Sequence, residues 1–141
     1  MTTHPAVLSL GSNMGDRAAQ LRRAVELLAA QIPCLGVSPV YETVPVGGPE
    51  QGEFLNAVML SATETPAELL TAAQRVEAAL GRVRTEHWGP RVIDVDVIAH
   101  GSTVQDDAAL TLPHPRAHER AFVLRPWLDL DPDARLVGHG A

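Results

Sequence analysis

A chain of 141 residues that is 45% hydrophobic and 20% charged is the size of one ordinary domain, with enough apolar content to bury a core rather than stay disordered. Its formal net charge of -6 disfavours nonspecific nucleic-acid binding, which needs a basic face, and no apolar run approaches a membrane span. A single cysteine, Cys34, excludes an internal disulfide and argues against a cysteine-based metal site. The N-terminal residues carry no basic region leading into an apolar stretch, so a soluble, cytoplasmic domain over residues 1–141 is expected, with Cys34 a small core residue beside Ile32 and Leu35.

In chain order, Val7–Leu10 reads as a strand that runs into the glycine-rich turn Gly11–Gly15. A helix follows from about Asp16 to Gln31, with Leu21, Val25, Leu28 and Ile32 at helical spacing and Asp16 near the positive end of the dipole. Ser38–Thr43 is a second strand. Val44–Gly52, punctuated by proline and glycine, suits neither helix nor ladder and is a shaped loop. Phe54–Thr63 is a third strand, and Thr65-Pro66-Ala67-Glu68 then opens a helix with a cap residue, a first-position proline and a glutamate three residues on. Its stripe is Leu69, Ala73, Val76 and Leu80, and Gly81 suits its end. Arg82–Pro90 connects to a fourth strand in Arg91–Ile98. A polar stretch, the segment Leu112–Arg120 and an apolar piece, Ala121–Leu130, follow. The order β-α-β-β-α-β predicts an α+β, ferredoxin-like sandwich, an antiparallel sheet with both helices on one face, plus a C-terminal extension.

The fourth strand holds two carboxylates in an apolar, β-branched run. Alternation puts Val92, Asp94, Asp96 and Ile98 on one side and Ile93, Val95 and Val97 on the other, with the aspartates roughly 7 Å apart at Cα. Like charges that close repel unless a cation lies between them, which points to a divalent metal, although a lone D-x-D is equally read as a solvated sheet face. The flanks add weight to the metal. All eleven basic residues are arginine, and Arg82, Arg84 and Arg91 fall close together with one acid, Glu86, among them. Guanidinium forks bind phosphate oxygens, while aspartates hold Mg²⁺ and leave positions for substrate phosphates. Two Mg²⁺ and two arginines would neutralise a nucleotide at about -4 together with both carboxylates. With no lysine in the chain and no Walker sequence, phosphate is handled without a P-loop.

Other candidates are less specific. The Gly11–Gly15 turn could bind an anion but reads first as a strand-to-helix connection. His114 and His118 have metal spacing only on one helix face, and Pro115 pushes His114 into an extended conformation that suits a nucleotide contact better. His4, His100 and His139 are read as surface residues. Among only five aromatics, Phe54 and Phe122 could stack a flat heterocycle whose edge the Asn56 amide reads, or both could be core. Nothing supports a covalent nucleophile.

Gly81-Arg82-Val83-Arg84, His87-Trp88-Gly89-Pro90-Arg91-Val92-Ile93-Asp94-Val95-Asp96, Leu112-Pro113-His114 and Arg120-Ala121-Phe122-Val123-Leu124 together resemble the 6-hydroxymethyl-7,8-dihydropterin pyrophosphokinases of folate biosynthesis. Leu10-Gly11-Ser12-Asn13-Met14-Gly15-Asp16, Tyr41-Glu42-Thr43 and Phe54-Leu55-Asn56-Ala57 resemble the same pattern, in order along nearly the whole chain. The resemblance implies transfer of pyrophosphate from ATP to the pterin hydroxymethyl oxygen, with release of AMP. It implies two Mg²⁺ on Asp94 and Asp96, with Arg82 and Arg91 assisting catalysis at the phosphates. It further implies ATP contacts from Gln74, Glu77, Arg84, Trp88, Ile98, Thr111, His114 and Arg120, with Arg84 and Trp88 on a closing loop. The pterin would meet Thr43, Pro45, Val46, Phe54, Asn56 and Phe122. The enzyme would act as a monomer, without nucleic acid or membrane. His87 departs from the basic residue frequent at its position, and Pro115 stands where an aromatic can occur. Two other readings of the residues stay open here: a palm-like nucleotidyl transferase or cyclase with paired aspartates, and a ferredoxin-like module that binds a nucleotide without chemistry.

Overall fold

The protein, seen in a computed structural model, is described over residues 2–12, 16–43, 54–80, 93–106, 110–112, 114 and 127. Its elements are β1 (His4–Ser12), α1 (Arg17–Ala29), β2 (Gly36–Val37), β3 (Tyr41–Thr43), β4 (Phe54–Thr63), α2 (Pro66–Ala79), β5 (Asp94–His100), β6 (Gln105–Asp106) and β7 (Thr111–Leu112). Strands β2, β4, β1 and β5 lie side by side in that order, β3 also pairs with β4, and every pairing is antiparallel. This is the expected α+β sandwich.

Local chemistry sets both helix starts. Asp16 accepts from the Ala19 N–H at 3.2 Å. Thr65 donates its N–H and its hydroxyl to the Glu68 carboxylate at 3.0 and 3.2 Å, with Pro66 next as the first helical residue. The two apolar stripes then meet one sheet face. Leu21, Ala24 and Leu28 of α1 and Leu69, Ala73 and Val76 of α2 form one buried cluster with Ala6, Leu8 and Leu10 of β1, Met59 of β4 and Val95 and Val97 of β5. Because Val95 and Val97 face the helices, Asp94 and Asp96 face away from them. That second face is closed as well: Val7, Ser9, Asn56 and Val58 are all buried.

Several expectations change. The first strand runs on through Gly11 and Ser12, so Gly11 belongs to a ladder rather than a turn. The second strand is split at Ser38-Pro39-Val40. Pro39 has no N–H for the ladder, and the Ser38 hydroxyl accepts from the Val58 N–H at 2.9 Å while Ser38 N–H donates to Val58 O, so β4 loses no partner across the break. Cys34 is exposed and Leu35 is 64% exposed, against the core reading. Ile32 is the last inward residue; Pro33 ends the turn, and Leu35 N–H is already committed to Leu60 O at the sheet edge. His100 is buried rather than at the surface. The small β6–β7 hairpin was not expected from the polar stretch that contains it.

Candidate active site

The sheet register assembles the site. Gly11 pairs on one side with Asn56 and on the other with Asp94, and Asn56 pairs in turn with Tyr41. One step along, Ser9 pairs with Val58 and Asp96. Directly paired residues of antiparallel strands share a face, so Tyr41, Asn56, Asp94 and Asp96 all project from the side away from the helices. Asn56 and Asp94 are two strand spacings apart, about 10 Å of backbone. Between them stands a residue without a side chain. Gly101 is the one described glycine at positive φ, so the backbone at Gly11 would accept any residue. A glycine inside a strand with ordinary dihedrals leaves the backbone bare, which gives another group room to approach it. Sequence reading missed Gly11 by placing it in a turn; a glycine continuing an alternating apolar run was the available signal.

The aspartates are half-buried, neither sealed in nor fully solvated. Among the described residues no third His, Cys, Asp or Glu joins them in a metal-binding group. That donor set suits Mg²⁺, which keeps several waters and is held through one or two carboxylates plus substrate phosphates, better than a metal that needs a closed protein cage.

Further candidates lie on or around β5. The Glu77 carboxylate accepts from the Val95 N–H at 3.0 Å, between the two aspartates. A strand that ends a sheet has unpaired N–H groups, and Glu77 satisfies one of them from α2. Gln74 is exposed on α2, three residues before Glu77. The register shifts at Ile98, where β5 carries one extra residue between the Leu8–Val97 and Val7–Ala99 pairs. Ile98 is fully buried, and its carbonyl accepts from the His114 N–H at 2.8 Å, which fixes half-buried His114 beside β5. Thr111, half-buried on β7, donates its hydroxyl to Asp106 at 3.2 Å. Thr43 and Phe54 pair as backbone neighbours at the β3–β4 end. Pro45, Val46, Arg82, Arg84, Trp88, Arg91, Arg120 and Phe122 lie outside the described residues, as do His118, His139 and Gly81.

Known proteins give this geometry a context. The chain matches the profile described as 7,8-dihydro-6-hydroxymethylpterin-pyrophosphokinase over residues 7–132. It is 49% identical to the 2-amino-4-hydroxy-6-hydroxymethyldihydropteridine pyrophosphokinase of Mycobacterium bovis, across 95% of this chain and 76% of that protein. Its identity to the protein of the same name from Methylorubrum extorquens is 49%, across 94% and 86%, and to that of Bacillus subtilis 44%, across 89% and 77%. Among solved structures, a wild-type Plasmodium falciparum HPPK-DHPS with pteroate superposes with a TM-score of 0.73 at 14% identity, covering 99% of this chain and 41% of that one. An HPPK-DHPS in complex with substrates gives 0.72 at 12%, covering 99% and 42%. At such identities the structures speak to fold alone, and the chain spans less than half of each. A match along nearly the whole sequence, on a sheet that aligns the two aspartates with Asn56, places this chain in the 7,8-dihydro-6-hydroxymethylpterin-pyrophosphokinase family.

Proposed function

We propose that the protein transfers the β,γ-pyrophosphoryl group of ATP to the hydroxymethyl oxygen of 6-hydroxymethyl-7,8-dihydropterin and releases AMP. Pyrophosphokinase activity in folate biosynthesis follows from the family and its named members. The observation that carries the finer reading is the row Asn56–Gly11–Asp94, with Asp96 one step along: a hydrogen-bonding amide and a pair of carboxylates on one sheet face, separated by bare backbone.

In this reaction the substrate hydroxyl oxygen bonds to the β-phosphorus as the bond from that phosphorus to the α,β-bridging oxygen breaks. The hydroxyl proton passes to solvent, and the bridging oxygen leaves with AMP. Asp94 and Asp96 would hold two Mg²⁺, which when bound supply neutralisation of the triphosphate charge. Arg82 and Arg91 add positive charge at the phosphates. Asn56 reads the pterin edge between Phe54 and Phe122, with Thr43, Pro45 and Val46 beside it. Gln74, Glu77, Arg84, Trp88, Ile98, Thr111, His114 and Arg120 hold the nucleotide. Catalysis on this reading is mostly positioning and charge, since phosphoryl-type transfer leaves little covalent work to the protein. The enzyme acts as a cytoplasmic monomer; no helix among the described residues is long and apolar enough to cross a membrane.

Incubation of the protein with the pterin, ATP and Mg²⁺, followed by chromatography of the nucleotides, is the test. AMP in step with pterin diphosphate is the expected result. ADP, or free pyrophosphate from ATP, would sink the proposal.

A further inference from the structure

Away from the aspartates, where β1 begins and β5 ends, the rings of His4 and His100 stand with centroids 5.3 Å apart and planes inclined by 58°. His4 is exposed, while His100 is 2% exposed. His100 Nε2 lies 2.9 Å from the carbonyl oxygen of Thr63. A carbonyl only accepts, so Nε2 carries the hydrogen and the neutral ring keeps its lone pair on Nδ1. That Nδ1 is buried and has no hydrogen-bond partner among the described residues. Ser61, across Ala6 in the same row of the sheet, does not supply one, because its own buried hydroxyl is unpartnered too.

An unpaired buried acceptor is destabilising, so a group that takes up its lone pair is favoured. The centroid separation, ordinary for a tilted ring pair, also matches two imidazoles that share one ion. With Zn–N near 2.0–2.1 Å and a ring centre roughly 1.1 Å behind its nitrogen, two imidazoles on one tetrahedral ion have centroids about 5.2 Å apart. The Thr63 carbonyl on Nε2–H is also the partner that metal-ligating histidines ordinarily have on their second nitrogen. His4 is held in place by its neighbours: the Gly101 N–H donates to Pro5 O at 2.6 Å, and Gly101, at φ +56°, lies so close that a Cβ there would come within 3.3 Å of His4 Cβ.

We propose that His4 and His100 form a second cation site, distinct from the carboxylates, for a borderline divalent ion such as Zn²⁺, bound through His100 Nδ1 and the His4 ring with water completing the coordination. Among the described residues no third His, Cys, Asp or Glu joins them, so the site exchanges its ion rather than enclosing it. An ion there ties the start of β1 to the end of β5.

Calorimetric titration of ZnCl₂ into untagged protein, with excess Mg²⁺ to occupy the carboxylates, tests the site. One equivalent binds to the parent, and His4→Ala weakens binding by more than about tenfold, the scale on which even outer-shell changes act. Because His4 is exposed, that variant folds, and its pyrophosphokinase rate with Mg²⁺ is unchanged. In parallel, histidine-ring NMR of the parent shows the His100 Nδ1 resonance moving on the first equivalent of zinc. Equal zinc affinity in His4→Ala and the parent, no zinc binding by the parent, or a His100 ring that zinc leaves unmoved would overturn the proposal.

Discussion

At one end of β5, Asp94 and Asp96 stand half-buried opposite Gly11 and Ser9; at the other, His100 stands sealed opposite Ala6, a residue of the helix-side core. All three occupy even-numbered positions, so plain alternation would put them on one face. The extra residue at Ile98 reverses the parity, and His100 turns to the helices while the aspartates turn away. One strand thereby presents hard oxygen donors to one side and an imidazole to the other. The same residue offers its carbonyl to His114, so a single bulge separates two chemistries and anchors a third group.

Substitutions at five positions probe that contrast. Asp94→Asn or Asp96→Asn leaves the histidine end intact and lowers AMP formation by about 10³-fold, the several kcal/mol that metal-held charge supplies at a phosphorus; a variant with undiminished turnover would mean that these carboxylates only line a sheet. Leu8→Ala, in the central strand between the two ends and fully buried, costs about 2–5 kcal/mol in urea unfolding. It acts on both ends alike. Gly11→Val suits a strand by propensity, and thermal unfolding stays near that of the parent, yet it fills the row between Asn56 and Asp94 and lowers kcat/KM by about 10²-fold. If unfolding and activity fall together, Gly11 is there for packing alone. Glu77→Ala leaves the Val95 N–H without its charged acceptor and costs about 1.5–3 kcal/mol at most, whereas Glu77→Gln keeps an acceptor and loses less; equal losses in the two would assign Glu77's role to its charge rather than to the strand edge.

Periodicity made most of the fold legible. The stripes Leu21–Leu28 and Leu69–Val76, the Thr65-Pro66-Glu68 start and the alternation in Asp94–Val97 lie where residue chemistry alone puts them. What escaped depended on single hydrogen bonds and single residues. Nothing in a window of sequence says that Ser38's hydroxyl will stand in for a backbone carbonyl and let Pro39 split a strand. Nor does it say that β5 carries a bulge, and without the bulge His100 reads as another polar-face residue. The paired aspartates were visible, but their place in one row with Asn56 was not, since that row passes through Gly11 and belongs to the register of three strands.

That register has a bearing on how the chain comes off the ribosome. β1 is made first and ends up in the middle of the sheet, yet Ser12 waits for Leu55, and Ala6 waits for His100. Until β5 emerges, one long side of an apolar strand has nothing to pair with, the kind of edge that recruits another chain. Most of the pairings that define this sheet join distant parts of the sequence, a topology that folds slowly. A nascent chain that ends after α2 therefore has both helices and four of the strands but no D-x-D edge, and the last strand it needs is the one that brings the carboxylates.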